Sequence, residues 1–179
     1  MKPVQLRLIE PPNEEPVSLL DAKRHLRIEH DEEDGQIEAW IESARVASEN
    51  DTKRSYVSQT WELILNKTPK DGIITIPSPA TPVQEVLSIM LNDEEVELSD
   101  FLEDVYDTSI MLKSKLLQGR VEIKFKAGFG NAEDVPAPLK SAILLRVGHL
   151  YLHREAVGSS NLKTTPFAVE SLELPYRDV

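Results

Sequence analysis

The chain has 179 residues, 40% of them hydrophobic and 28% charged, a balance that suits a single compact domain or a small bipartite one and excludes wholesale disorder. No apolar run approaches the ~20 residues that span a bilayer, and the opening MKPVQLRLIEPPNEEP has no stretch suited to a signal peptide, so a cytosolic product without membrane attachment is expected. With no cysteine, and 20 basic against 31 acidic residues for a net charge of −11, thiol chemistry, disulfides and Cys-ligated zinc are excluded. The same charge disfavours general affinity for nucleic acid or anionic lipid.

Within a Pro-punctuated lead-in over residues 1–16, Val4, Leu6 and Leu8 alternate like a short edge strand. Ser18 three residues ahead of Asp21 predicts an N-cap and a short helix to about Arg27, acidic at its start and basic at its end. The acidic run Asp31, Glu32, Glu33, Asp34 precedes Ile37, Trp40, Ile41, Ala44 and Ala47. Their spacing by three and four predicts a long helix over residues 31–54, closed by Lys53 and Arg54 at its negative end.

From Tyr56 the period becomes two. Trp61, Leu63 and Leu65 alternate with Glu62, Ile64 and Asn66, Ile74 and Ile76 follow an Asp71-Gly72 turn, and Pro77, Pro79 and Pro82 interrupt. A strand over residues 85–91 meets the turn Asn92, Asp93, Glu94 and returns over 95–98. Residues 110–113 and 121–127 predict another pair joined through Gln118-Gly119, with Val121, Ile123 and Phe125 inward and Glu122, Lys124 and Lys126 outward. The middle of the chain is thus expected to be one small antiparallel β unit.

Gly128, Gly130 and Asn131 end that unit, and Pro136 and Pro138 open a second long helix, since proline suits a first turn. Leu139, Ala142, Ile143, Arg146, Val147, Leu150 and Arg154 recur at three and four, and so much leucine requires more than one neighbour. Gly158, Ser159, Ser160 and Asn161 predict a flexible break. The tail beyond it carries Phe167, Val169, Leu172, Leu174 and Tyr176, apolar enough to require a docking surface. The predicted fold class is α+β: a helical core of two long helices plus shorter ones, with an antiparallel β-hairpin unit inserted between them. It forms a single domain over residues 1–179, divided as 1–55 helical, 56–130 β, 131–157 long helix and 158–179 C-terminal arm.

Candidate chemistry is sparse. His149 and His153, one turn apart with Glu155 nearby, could offer two imidazoles to a metal, but the glutamate that follows the first histidine of a zinc-protease helix is replaced by Leu150. Around Gly35 a calcium-loop register puts His30 first and Ile41 twelfth, where acids are required. Gly128-Phe129-Gly130 is followed by Glu133 where a dinucleotide fingerprint needs glycine. No nucleophile elbow or phosphate loop occurs. No cofactor or metal is expected, and a catalytic site is not.

Charge patterning is more informative. Asp93, Glu94, Glu95, Glu97, Asp100, Glu103, Asp104 and Asp107 occur without an intervening Lys or Arg, whereas Lys113, Lys115, Arg120, Lys124 and Lys126 follow. Two solvated faces of one subunit would explain this. So would a head-to-tail contact in which one copy's acidic edge meets the next copy's basic edge and the rotation closes a ring.

Several segments together resemble a known family. PVSLLDAKRHLRIEHDEEDGQIEAWIESARVASE, the strand QTWELIL, VEIKFKAGFG, and VPAPLKSAILLRVGHLYLHREAV followed by PFAVESLELPYR are similar, in that order, to the head-tail connector (adaptor) proteins of tailed bacteriophages and prophages. The resemblance implies a structural protein without catalytic residues. It implies a homo-oligomeric ring, dodecameric on the phage, that docks beneath the portal, extends the channel through which DNA passes without specific binding, and offers a platform to tail or neck completion proteins. It also implies a place in the virion at the head-tail junction, and in the host bacterial cytoplasm during assembly. Expected subunit or portal contacts are Asp93, Glu94, Glu95, Glu97, Lys113, Lys124, Lys126, Phe167, Leu172 and Tyr176, the tail ordering fully only in the assembled particle. A small metal-dependent hydrolase using His149 and His153, and a monomeric cytosolic interaction module, are the competing readings.

Overall fold

The computed structural model describes residues 5–113, 118–154 and 167–177. Helix α1 (Leu19–Leu26) begins where expected: the Ser18 side chain accepts from the Asp21 backbone N–H at 3.1 Å, and Arg27 closes the helix in the left-handed region. Helix α2 (Asp34–Thr52) starts three residues later than the acidic run suggested. Asp31 lies in the preceding turn, where it and Asp34 clamp the buried Lys23 ammonium at 2.5 and 2.6 Å. These hydrogen bonds raise the Lys23 pKa and lower that of Asp31. The acids that read as dipole partners of a helix thus include the counter-ions of a buried lysine.

Strand β1 (Gln5–Glu10) is the predicted edge strand, paired with β2 (Gln59–Lys67). Beyond it lie β3 (Ile73–Thr75), β4 (Val83–Leu91), β5 (Glu94–Val96), a four-residue helix α3 (Leu98–Phe101), β6 (Leu102–Tyr106), β7 (Ser109–Leu112) and β8 (Gln118–Ala127). Asn92 and Asp93 both have positive φ in the β4–β5 turn, the conformation that a two-residue hairpin requires. The expected pairing of residues 110–113 with 121–127 does not occur. Strand β7 pairs with β3 and, through a turn at Asp107-Thr108, with β6, a strand that lies inside the acidic run. Strand β8 lies instead between β2 and β4, giving one five-stranded sheet in the order β1-β2-β8-β4-β5 and a second of three, β3-β7-β6. Both neighbours of β8 are long enough to pair along it, and its inner face is apolar throughout. Val121, Ile123, Phe125 and Ala127 are all fully buried, each large one contributing about 1.5–3 kcal/mol.

Helix α4 (Ala137–Leu152) follows Pro136, and α5 (Phe167–Glu173) follows in the arm. Two cores result. The two sheets enclose Leu63, Ile74, Ile89, Ile110, Leu112 and Phe125, while α1, α2 and α4 enclose Ala22, Ile37, Ile41, Ala44, Leu139, Ile143 and Val147. The neighbours that the leucines of α4 require are therefore largely α1, α2 and α5 of the same chain.

The cores join at residues 55–59 and 127–130. Ser55 N–H donates to Thr81 O, Phe129 N–H to Tyr56 O, and Ser58 N–H to Gly130 O. Gly128 has φ +135°, and a Cβ there would lie 2.7 Å from Val57 O, so only glycine fits. Beneath this seam the buried Glu49 carboxylate accepts from Tyr56 N–H at 2.8 Å, Gln59 Nε2 at 2.7 Å and Arg45 Nη1 at 2.8 Å, and Arg45 Nε reaches Glu15 at 2.8 Å. Burial raises the Glu49 pKa against the pull of Arg45, and burial likewise raises that of the Tyr56 phenol. At the far end of the bundle Arg154 forks onto Glu33 at 2.5 and 2.9 Å and lies over the rings of Trp40 and Tyr151.

Two outcomes are expected. Arg45→Met leaves Glu49 buried without its cation and lowers the free energy of urea unfolding by about 3–5 kcal/mol. Glu33→Gln is less stable than wild type at neutral pH, and the gap closes in thermal melts as pH falls through the ordinary carboxylate range. The Arg154 hydrogen bond lowers the Glu33 pKa, so its contribution is present above the unfolded-state pKa and lost as pH falls through the folded-state one.

Candidate assembly surfaces

The residues expected at subunit or portal contacts fall into three sets. Asp93, Glu94, Glu95 and Glu97, with Asp100, Glu103, Asp104 and Asp107, follow β5, α3 and β6, the free margins of the two sheets on one side. All eight are exposed, and none has an ion-pair partner among the described residues.

The basic set is not an opposing edge. Lys124 and Lys126 stand on β8, the central strand of the larger sheet, because β8 is hydrogen-bonded on both sides. On that outer face Lys124 lies between Glu62 and Ser88, and Lys126 pairs with Glu85 at 2.8 Å. Arg7 pairs with Glu62 and Arg120 with Glu122. Lys113 donates to Ser99 O at 2.5 Å, beside α3. The Arg120 N–H donates to Asn92 Oδ1. Much of the basic set therefore meets its own chain's acids across a polar sheet face, each exposed pair worth about 0–1 kcal/mol. Lys115 lies outside the described residues, as do Glu155 and the break at residues 158–161.

The arm shows a second difference. Residues 167–177, expected to order fully only in the particle, are helical and packed on α4 within the single chain. Val169 is buried, Leu172 half-buried, and Tyr176 meets the edge of Phe129 with centroids 6.5 Å apart. What orients the arm is polar: the Glu173 carboxylate is fully buried and receives Arg146 Nη2 on both oxygens at 2.9 and 3.0 Å, while the same nitrogen reaches Asp51 at 2.5 Å. Phe167 and Leu174 remain 84% and 60% exposed on the outer side of the arm. Sequence reasoning missed Arg146 and Glu173 as a pair. The available signal was an arginine inside the apolar stripe of α4, which requires a buried anion.

The imidazoles of His149 and His153 lie 4.4 Å apart, and His153 Nδ1 is 2.9 Å from His149 O. Among the described residues no group of three or more His, Asp or Glu side chains is placed to hold a metal. An open groove lies between the entry to α1 and α2, lined by Glu15, Val17, Ser18 and Leu19 on one side and Ala39 and Ile41 on the other, with Glu38 and Glu42 on its rim.

Known proteins give these surfaces a context. Residues 16–109, just over half the chain, match the family described as phage gp6-like head-tail connector protein. No curated protein matches in sequence. Among solved structures, a chain from the neck of an empty GTA particle computed with C6 symmetry aligns at TM-score 0.80 and 24% identity, over 98% of this chain and 96% of that one. A chain from the virion of a native gene transfer agent (GTA) particle aligns at 0.78 and 24%, over 97% and 95%. One from the neck of the native GTA particle computed with C12 symmetry aligns at 0.77 and 24%, over 98% and 96%. These likenesses establish that the fold is shared along nearly the whole length. The family match, which runs from just before α1 to the start of β7, shows a structural protein rather than an enzyme: the chain belongs to the phage gp6-like head-tail connector family.

Proposed function

We propose that this protein closes into a homo-oligomeric ring beneath a phage or prophage portal, extends the DNA channel, and presents the platform on which tail or neck proteins assemble. The observation that carries this reading is the family match, supported by a fold shared along its length with chains of a symmetric particle neck. A net charge of −11 suits a conduit, because a cationic wall would hold phosphates and an anionic one lets the duplex slide. No helix among the described residues is long and apolar enough to cross a membrane.

Within this reading the acidic margin from Asp93 to Asp107 and the outer side of the arm at Phe167 and Leu174 are free for neighbours or the portal, since solvent-facing apolar residues grouped together mark interfaces. Lys124, Lys126, Leu172 and Tyr176 serve better inside the subunit, as sheet-face ion pairs and arm packing. The assembled position is the head-tail junction of the virion, reached from the host cytoplasm.

Negative-stain imaging of the purified protein with its cognate portal complex is expected to show a ring stacked on the portal. A protein that stays solitary at every concentration and with portal present would favour the monomeric interaction module and overturn the proposal.

A further inference from the structure

The groove between α1 and α2 and the outer stripe of α1 are complementary but belong to one chain in which they do not pair. On α1, Ala22 and Lys23 turn inward, and Leu20 and Arg24, four residues apart, share the outer flank. Leu20 is 56% exposed, and among the described residues Arg24 has only Asp21, at 3.7 Å, for a partner. Arg27, at the end of the helix, is exposed and has no carboxylate partner among the described residues. On α2, Glu38 and Glu42 are one turn apart, exposed and without a cation among the described residues, and they rim the apolar walls formed by Val17, Leu19, Ala39 and Ile41. One surface thus offers an apolar knob with cations beside it at the end of α1, the other a groove with anions four residues apart on α2.

We infer that α1 of one copy docks on the α1–α2 groove of the next, Leu20 entering between Leu19 and Ala39 while Arg24 and Arg27 meet Glu42 and Glu38. This rests on the ring reading and deepens it by naming the surfaces. The occupant is a second copy because the missing charges and the missing apolar side chain are all present on this chain. When one copy's α1 and its own groove face different neighbours, the contact is the heterologous kind that generates rings. Its location within residues 16–109, the stretch that matches the connector family, puts it in the region of the chain the family shares. Salt weakens such a contact through its charges and leaves the leucine insertion in place.

The chain contains no cysteine, so single substitutions report contacts directly. Full-length Leu20→Cys protein is mixed under oxidising conditions, at high concentration, with full-length Ala39→Cys protein carrying a mass tag. The mixed dimer is expected to exceed either homodimer by well more than the twofold that random pairing gives. Adding Glu38→Lys and Glu42→Lys to the Ala39→Cys partner removes that excess, and Arg24→Glu with Arg27→Glu on the other partner restores it. A mixed dimer at no more than the twofold excess over each homodimer that random pairing gives, or a charge swap that fails to restore the larger excess, overturns the contact. Wild-type imaging separates the two readings: rings that persist in Leu20→Glu protein overturn this surface and leave the ring standing, whereas absence of rings and of the mixed dimer overturns both.

Discussion

The buried Glu49 carboxylate stands where the last turns of α2 meet the strand that starts the large sheet, and the relation between the two cores depends on it. It accepts from the backbone of Tyr56, the side chain of Gln59 and the guanidinium of Arg45. Without it the Tyr56 N–H would lose its partner in a region closed to water, at a cost of about 1–3 kcal/mol for that donor alone. Arg45 extends the network to Glu15 and so ties down the lead-in that follows β1. The seam of backbone hydrogen bonds at residues 55–59 and 127–130 that joins the two hydrophobic cores is thereby tied to α2 as well. Burying a charge this way adds little net stability, because desolvation offsets the attraction. It does penalise any arrangement in which those donors and acceptors are not brought together.

The same device recurs in the arm. Helix α5 has seven residues, too few to be helical on their own in water, and it fully buries little apolar surface beyond Val169. Arg146 and Glu173 fix which side of the arm faces α4, so Phe167 and Leu174 face outward. An apolar side chain so exposed is costly for a solitary molecule and useful to an assembling one. The arm's conformation is thus set by a polar pair, which leaves Phe167 and Leu174 exposed.

Much of the helical body was legible in the amino-acid sequence because its signals are local. Ser18 and Asp21 cap α1, three-and-four spacing marks α2 and α4, and Pro136 and Pro138 can occupy only a first turn. The Asn92-Asp93 turn was legible for the same reason. What sequence could not supply was pairing between strands about sixty residues apart, such as β2 with β8, for which alternation predicts a strand but no neighbour. Strand β6 was hidden by its acids: Glu103 and Asp104 suit a free edge that must not aggregate, yet they read as loop. The basic set was misleading in the opposite way. A run of lysines looks like an edge until the topology places its strand in the middle of a sheet. Arg45 and Arg146, each within an apolar helical stripe, were the readable clues to the buried networks, since a cation in that position requires an anion inside the fold.

In the proposed ring, a fold shared over 98% of this chain with a chain in a particle neck would limit what assembly has left to do. If the body already has its assembled form, ring closure is the docking of rigid bodies, and the energetic problem is electrostatic. Each copy carries −11, but at physiological ionic strength charges more than about 8 Å apart are largely screened, so the net charge does not by itself prevent contact. What matters is the sign of the few charges brought within that distance. On a surface dominated by acids, a workable contact must concentrate the scarce unpaired cations. Arg27, and Arg24 with only a loose 3.7 Å contact to Asp21, stand together on the shared helical body, while Arg45, Arg146 and Arg154 are all committed to carboxylates within the chain. In the proposed ring, the surplus of acid that would keep a channel free of DNA traps would also narrow the set of surfaces through which copies could recognise each other.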